Sequence, residues 1–459
     1  MPINRRQFVS ALGTAGLSNL IGVSSSANAA VTARVDQAAR GMSVPKIKDI
    51  SVIEVQIGTR LSVVKITTDQ PGLYGYGCAT FTQRADLIKP AVELYLKPLL
   101  VGWNTDRIED IWQTCSNSSY WRTGPVLNNA ISGVDEALWD IKGRQVGLPV
   151  YQLVGGKVRE AAEVYRHAGG ATPEALVDSI RSLTATGARN VHIGVGGGGN
   201  AVGSGASAAP TPPADPLHYE IKSLGATGAT YDPNSHTRQV LQAFEYVRKQ
   251  LGGDIGLGFD AHERLASPRD AVQFCKDVEQ YRPYMIEDPL APEDEQYFRE
   301  IRANCATRIS MGELFVNPDD WQFLLENRLI DYIRCHVSQV GGFSAARKIA
   351  VLAEMFQVRT CWHNPGDISP VGIMANLTLD VTSNSFGLQE FGGNPSAQLA
   401  EVFQGAAQYK DGYAWVSDLP GWGIEIDEKA AAKYPFNRSQ PLNGGWGVVR
   451  LPDGSIIHQ

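Results

Sequence analysis

The chain predicts an α/β protein: a (β/α)8, TIM-type barrel preceded by an α+β segment and followed by a loop-rich tail. Three observations carry this. Eight short apolar runs recur between residues 161 and 400, most of them roughly 20 to 30 residues apart. The intervals between them are amphipathic at helical spacing. Acidic, histidine and arginine side chains stand at the carboxyl ends of the runs, where a barrel gathers its chemistry.

The runs are Glu163–Ala168, Asn190–Val195, Ile255–Asp260, Met285–Glu287, Ile309–Glu313, Tyr332–Val337, Thr360–His363 and Gly387–Glu390. One helix and two loops fill each ordinary interval, and the last helical unit is shortened. About 60 residues, not 25, separate the second run from the third. The excess holds Gly196 to Gly199, Gly203-Ser204-Gly205 and a proline-rich stretch from Pro210 to Pro216. Residues 196–236 are read as a lid-like insertion of low complexity, with a plain disordered insertion as the alternative.

Ahead of the barrel, residues 46–160 form the α+β segment. Apolar and polar residues alternate from Lys46 to Thr68, with a break at Gly58-Thr59-Arg60, which predicts an antiparallel strand pair. Ile131, Val134, Leu138 and Ile141 then recur at helical spacing. The tail, residues 401–459, carries Gly421-Trp422-Gly423, Pro441 and Gly444-Gly445 and is placed to return onto the first segment.

Residues 1–29 are read as an export signal. Arg5-Arg6 precedes Phe8-Val9, a weakly apolar stretch of about 13 residues runs from Ala11 to Val23, and Ala27-Asn28-Ala29 offers a small-residue cleavage site. That stretch is shorter than the roughly 20 residues a membrane span needs, and no later segment is long enough. The expectation is a periplasmic protein, exported folded by the twin-arginine route after cleavage near Ala29, with residues 30–45 as a linker. The net charge of −7 argues against a nucleic-acid partner. The six cysteines form no C-x-x-C pair, so a zinc or redox site is not indicated.

Five of the eight histidines fall at run ends: His167, His192, His262, His336 and His363. Asp260, Glu287 and Glu313 lie 27 and 26 residues apart, one repeat each, so three consecutive strands bring them together. Three adjacent carboxylates repel unless a cation stands between them, and an all-oxygen set suits Mg²⁺ better than Zn²⁺. In Asp260-Ala261-His262 the acid and the imidazole are two residues apart, which on an extended strand places both on one face. His262 is thereby a candidate to give or take a proton near neutral pH, and His363 approaches from the other side. His192 is an alternative base or a polar rim residue.

These residues resemble the enolase superfamily, in its mandelate racemase/muconate lactonizing enzyme branch. Ile131 to Gly143, followed by Gly147 to Gly156, looks like the segment leading into that branch's barrel. Arg107 to Trp112, Tyr120-Trp121-Arg122, Asp331 to Arg334 and Phe386 to Glu390 resemble the mannonate-dehydratase-like, starvation-sensing type of acid-sugar dehydratase. The resemblance implies a capping domain on the barrel, completed by the C-terminal tail, and a homo-oligomer acting in sugar-acid catabolism. It implies metal binding by Asp260, Glu287 and Glu313, acid/base duty for His262, and substrate contact by His167, Arg334, His363 and Glu390. The implied reaction is Mg²⁺-dependent removal of the proton α to a sugar acid's carboxylate and loss of the β-hydroxyl as water, giving a 2-keto-3-deoxy acid.

The sequence departs from that pattern at four points. His192 stands where those enzymes carry an arginine. Their loop tyrosine has no counterpart in register, with Tyr219 and Tyr231 further along. Thr82 replaces a substrate-binding asparagine of the cap, and the chain ends Ile456-Ile457-His458-Gln459 in place of an aromatic terminus. Two alternatives therefore stand beside the dehydratase: a racemase or epimerase of a sugar or 2-hydroxy acid, with His192 or His262 opposed to His363, and a catalytically quiet metal-binding relative.

Overall fold

Antiparallel strands β1 (Ile47–Ile57) and β2 (Thr59–Thr68) turn on Gly58, whose φ of 74° is open to glycine, and β3 (Tyr74–Cys78) completes a three-stranded meander. Helices α1 (Ile108–Asn117) and α2 (Pro125–Val146) cover it. Ile50, Val64, Ile66, Val134, Leu138 and Ile141 meet in its core, so the alternating and helical patterns face each other across one apolar layer. This computed structural model describes residues 43–195, 229–439 and 449–456. The export-signal reading, most of the 30–45 linker, residues 196–228 of the insertion with Tyr219, and the terminal Ile457-His458-Gln459 lie outside the described residues.

The barrel strands are β4 (Ala162–Gly170), β5 (Asn190–Val195), β7 (Gly256–Asp260), β8 (Met285–Glu287), β9 (Ile309–Met311), β10 (Tyr332–Ile333), β11 (Arg359–Thr360) and β12 (Gln389–Glu390); β6 (Ala229–Thr230) lies outside the barrel. From β4 to β11 neighbours pair in parallel. β12 closes the ring on β4 through the pairs Gln389 with Val164 and Glu390 with Tyr165, and a parallel bridge joins Thr360 to Phe386 on the other side. The fold is thus a TIM-type barrel with an N-terminal cap.

Among the described residues seven helices follow the strands: α3 (Pro173–Ala185), α4 (Pro233–Leu251), α5 (Pro268–Val278), α6 (Phe298–Asn304), α7 (Pro318–Glu326), α8 (Phe343–Met355) and α9 (Pro370–Thr382). Five begin with an oxygen-bearing cap followed by proline: Thr172, Asp232, Ser267, Asn317 and Ser369 each accept a backbone N–H of the first turn. The cap satisfies an otherwise unpaired donor, and proline loses nothing at the first helical position. After β12 only a short helix, Ala397–Val402, remains of the eighth unit.

Two readings need correction. The insertion does not run as a loop to residue 236, because Ala229–Thr230 pairs in parallel with Val449–Arg450 and the Asp232-Pro233 cap starts α4. Several run ends are also not strand: β9 stops at Met311 and β10 at Ile333, so Glu313, Arg334 and His336 sit on the turns just beyond.

α2 joins the parts of the molecule. Asp135 accepts from the Ser344 N–H at 2.8 Å and the Ser344 hydroxyl at 2.5 Å, at the start of α8. Glu136 accepts from the Cys78 N–H at 2.8 Å. Asp140 accepts from the N–H groups of Tyr76 and Trp422, each at 2.9 Å. Trp422, 1% exposed, also donates to the Glu136 carbonyl at 2.9 Å, so this part of the tail lies against the cap. The six cysteines are free thiols. No helix among the described residues is long and apolar enough to cross a membrane.

Candidate active site

Strand register fixes the rim. His167, His192 and Gly258 are partners across β4, β5 and β7, and Asp260 pairs with Glu287 two residues further on. A Cβ on Gly258 would lie 2.3 Å from the His192 ring, so glycine there leaves the space the imidazole fills. Glu313 reaches the same point by a bend, since Gly312 takes a φ of 139°. The Gly312 N–H donates to Asp288 Oδ1 at 3.0 Å, which ties the residue after one acid to the residue before the next.

One ligand atom each from Asp260, Glu287 and Asp288 lies within 4.8 Å of the others, and the same holds for Asp260, His262 and Glu313. Oxygens bound to one hard cation at 2.0–2.6 Å stand at most roughly 5 Å apart. Asp260 is common to both groups, so it stands between Glu287 on one side and Glu313 on the other. Arg334, 1% exposed, is a guanidinium among them. Its Nε lies 2.7 Å from Glu287 Oε1, its Nη1 donates to Glu313 Oε2 at 2.7 Å, and its Nη2 pairs with Glu390 Oε2.

Arg334 and the neighbouring Arg264 are set among six carboxyls: Asp260, Glu263, Glu287, Asp288, Glu313 and Glu390. Burial, with Asp260 and Glu390 adding repulsion, pushes Glu287 well above the ordinary carboxylate range against the pull of Arg334. Burial, Glu313 and Asp260 do the same to Asp288. Burial acts upward on Glu313 too, but His363 and Arg334 outweigh it and hold that carboxyl well below the usual range. An all-oxygen donor set with surplus negative charge fits a hard divalent cation.

The histidines divide by environment. His262 Nε2 is 3.0 Å from Asp260 Oδ2, as expected, but not for the expected reason. β7 ends at Asp260, and His262 and Glu263 take φ values of 49° and 55°. A turn, closed by the His262 N–H donating to Asp260 Oδ1 at 2.9 Å, brings the ring back; strand alternation does not. His167 Nε2 lies 2.6 Å from Glu390 Oε1, and His363 Nε2 lies 3.2 Å from Glu313 Oε2. His192 is 2% exposed, with its ring centroid 4.2 Å from that of Tyr165 and 5.5 Å from that of Tyr284. Its Nδ1 is 3.7 Å from Glu287 Oε2, beyond hydrogen-bond reach. Burial, reinforced by His167 and Arg334, holds it well below the ordinary histidine value and hence neutral. Thr82 stays in the cap, where its hydroxyl donates to Gln83 Oε1 at 3.0 Å.

Sequence reasoning missed Tyr165, Asp288 and Asp367. Tyr165 receives Arg334 Nε at 3.1 Å and stands 3.3 Å from Glu287 Oε2; its signal was its place two residues before His167 on one strand face. Asp367 Oδ1 lies 3.9 Å from His363 Nδ1, one helical turn's spacing along the chain. Asp288 follows Glu287 directly, yet its φ of 40° turns it to Gly312, which no period reveals.

Residues 175–430 match the family described as enolase C-terminal domain-like, and residues 22–155 match the mandelate racemase/muconate lactonizing enzyme N-terminal domain. D-galactonate dehydratase family member RspA of Pantoea ananatis is 44% identical over 87% of this chain and 95% of its own length. The family member SEN1436 of Salmonella enteritidis is 46% identical over 87% and 94%. A crystal structure of an enolase from Pantoea ananatis with bound D-gluconate and Mg superposes with a TM-score of 0.84, at 42% identity, over 90% of this chain and all of that one. The relatives' shared name refers to galactonate where the sequence resemblance pointed to mannonate, within the same class of acid-sugar dehydratases. With both domains matched and relatives covered almost end to end, the chain belongs to the D-galactonate dehydratase family, in the mandelate racemase/muconate lactonizing enzyme branch of the enolase superfamily.

Proposed function

We propose that the protein is a Mg²⁺-dependent acid-sugar dehydratase that forms a 2-keto-3-deoxy acid. The observation that carries this is the convergence of Asp260 with Glu287 on one side and with Glu313 on the other, within 4.8 Å, beside His262. Asp260, Glu287 and Glu313 would hold the ion, which supplies positive charge against which the negative charge of a deprotonated α-carbon can accumulate on the substrate carboxylate. The chain's own residues then move the protons. His262, placed by its turn against Asp260, carries a proton to the departing β-hydroxyl. His363, which faces Glu313 from across the rim, takes the α-proton. Arg334, His167 and Glu390 form the polar wall that orients the sugar acid. The D-gluconate bound to the Pantoea ananatis relative supports a polyhydroxy acid as the ligand class.

The test is incubation with Mg²⁺ and D-gluconate, D-galactonate or D-mannonate in D₂O, following α-deuterium and keto product together. Keto acid carrying solvent deuterium at C3 supports dehydration. Exchange with the inverted acid and no keto acid is the epimerase. Mg²⁺ binding with no exchange across an acid-sugar panel is the quiet relative, and either result overturns the proposal. We also propose periplasmic delivery by the twin-arginine signal and assembly as a homo-oligomer. Replacing Arg5 and Arg6 with lysine should keep the protein in the cytoplasm, and light scattering of the purified protein reads the assembly.

A further inference from the structure

Five barrel helices begin under a side-chain cap supplied by the residue just before them, and α8 does not. Gly341-Gly342 precedes it, with no side chain to accept a backbone N–H. The acceptor comes from the N-terminal domain instead. Asp135 of α2 takes the Ser344 N–H at 2.8 Å on one oxygen and the Ser344 hydroxyl at 2.5 Å on the other. We propose that Asp135 and Asn128 of α2 are positioning residues: they cap α8 from the other domain and so set the loop that carries Arg334. This rests on the reading of Arg334 as a group that orients the sugar acid.

The two residues are about two helical turns apart and share one face of α2. Asn128, 8% exposed, donates through Nδ2 to the Val316 carbonyl at 2.8 Å and to the Gln339 carbonyl at 2.7 Å. Val316 follows Glu313 by three residues and Gln339 follows Arg334 by five, so one amide ties the loop behind β9 to the loop behind β10. Trp112 of α1 donates to the Gly341 carbonyl at 2.8 Å, and Trp139 of α2 donates to the Ser344 hydroxyl at 2.9 Å. The loop is closely folded, with the Gln339 N–H on the His336 carbonyl and the Gly342 N–H on the Val337 carbonyl, each at 2.9 Å. A shift at its helical end is therefore passed back toward Arg334. Gly342 has a φ of 101°, and a Cβ there would lie 2.8 Å from Asp135 Oδ2 and 2.9 Å from Ser132 Cα. Glycine lets the backbone approach α2 this closely, and the same closeness leaves no room for a local capping side chain. Without the bond from α2, the loop spreads over other arrangements. A substrate that needs Arg334 in place then binds only the competent fraction, and saturating substrate restores it.

The experiment compares Asp135→Ala, which removes both acceptors, with Asp135→Asn, which keeps an oxygen for the Ser344 N–H. In the Mg²⁺-loaded enzyme with D-gluconate or D-galactonate at pH 7, Asp135→Ala should raise KM by about 2- to 25-fold, the range of a lost helix cap, with kcat at saturation little changed. Asp135→Asn should recover most of the affinity. An unchanged KM in Asp135→Ala, a fall in kcat alone, or an equal rise in both variants overturns the proposal. The nitrogen-15 signal of Arg334 Nε, assigned with Arg334→Lys, decides the matter without turnover. A signal that moves in Asp135→Ala and returns in Asp135→Asn supports the proposal, and an unmoved signal overturns it. If Asp135→Ala does not fold, Asn128→Ala takes its part in both measurements, with Asn128→Gln as the conservative variant. If no acid is turned over while the Arg334 signal still follows Asp135, the dehydratase reading fails and the positioning stands.

Discussion

His167 Nε2 stands 2.6 Å from Glu390 Oε1, so a side-chain contact joins the first barrel strand to the last at the rim. Glu390 also accepts the Asn364 N–H at 2.7 Å and pairs with Arg334. Removing one partner from a buried charged network leaves the others uncompensated. Glu390→Gln should therefore cost about 3–5 kcal/mol in urea unfolding at pH 7. Burial acts to raise the Glu390 carboxyl, but Arg334 and His167 outweigh it and hold it far below the ordinary carboxylate range. A depressed carboxyl contributes stability above its unfolded value, near pH 4.3, and loses it as pH falls toward the folded one. The variant's deficit should accordingly shrink as unfolding is followed from pH 5 to pH 2.

Metal dependence follows from the shared Asp260. Chelation should reduce α-proton exchange to background, and Mg²⁺ alone should restore it. Asp260→Asn or Glu287→Gln should weaken Mg²⁺ binding, read by calorimetry, by more than the roughly 10- to 100-fold typical of outer-shell changes. Saturating Mg²⁺ should raise the unfolding temperature of the wild type and leave these variants nearly unmoved.

The imidazoles of His262 and His192 should behave differently. His262→Asn should lower kcat for dehydration by about 10²- to 10⁴-fold, the range of a lost general acid. His192→Asn should cost less than about tenfold, because its ring is stacked among tyrosines and held neutral by burial. A larger loss at His192 with folding intact would make it the base.

The acids of α2 predict a pH effect of the opposite sign. Burial raises Asp135 to about 7, despite its bonds to Ser344, and raises Glu136 to about 8. A raised carboxyl binds more protons folded than unfolded, so its contribution is full below the unfolded value, near 4, and declines as pH rises toward the folded value. Asp135→Asn cannot ionise. Its destabilisation, measured by denaturant unfolding, should be smaller at pH 8 than at pH 5.

The fold was legible because each barrel strand is buried, so Met285–Glu287 or Asn190–Val195 stands out as an apolar run between amphipathic helices. The acids were legible by repeat spacing. What alternation could not show is backbone that leaves the extended region: the His262 turn, the Gly312 bend that carries Glu313, and Asp288. Composition likewise marked 196–236 as one loop, and the Asp232-Pro233 cap that ends it four residues early carried little weight beside so many glycines. His192 looked like a rim residue because sequence gives strand position but not the two tyrosines that enclose it.

The glycine beneath His192 has a consequence for variation of this enzyme. A would-be Cβ at 258 stands 2.3 Å from the His192 ring and 2.8 Å from the Tyr284 ring, so position 258 is closed to every side chain while both rings stay. Position 192 can shrink by itself, but a side chain at 258 first requires room at 192 and at 284. Engineering this corner from the 258 side is therefore a three-site exchange.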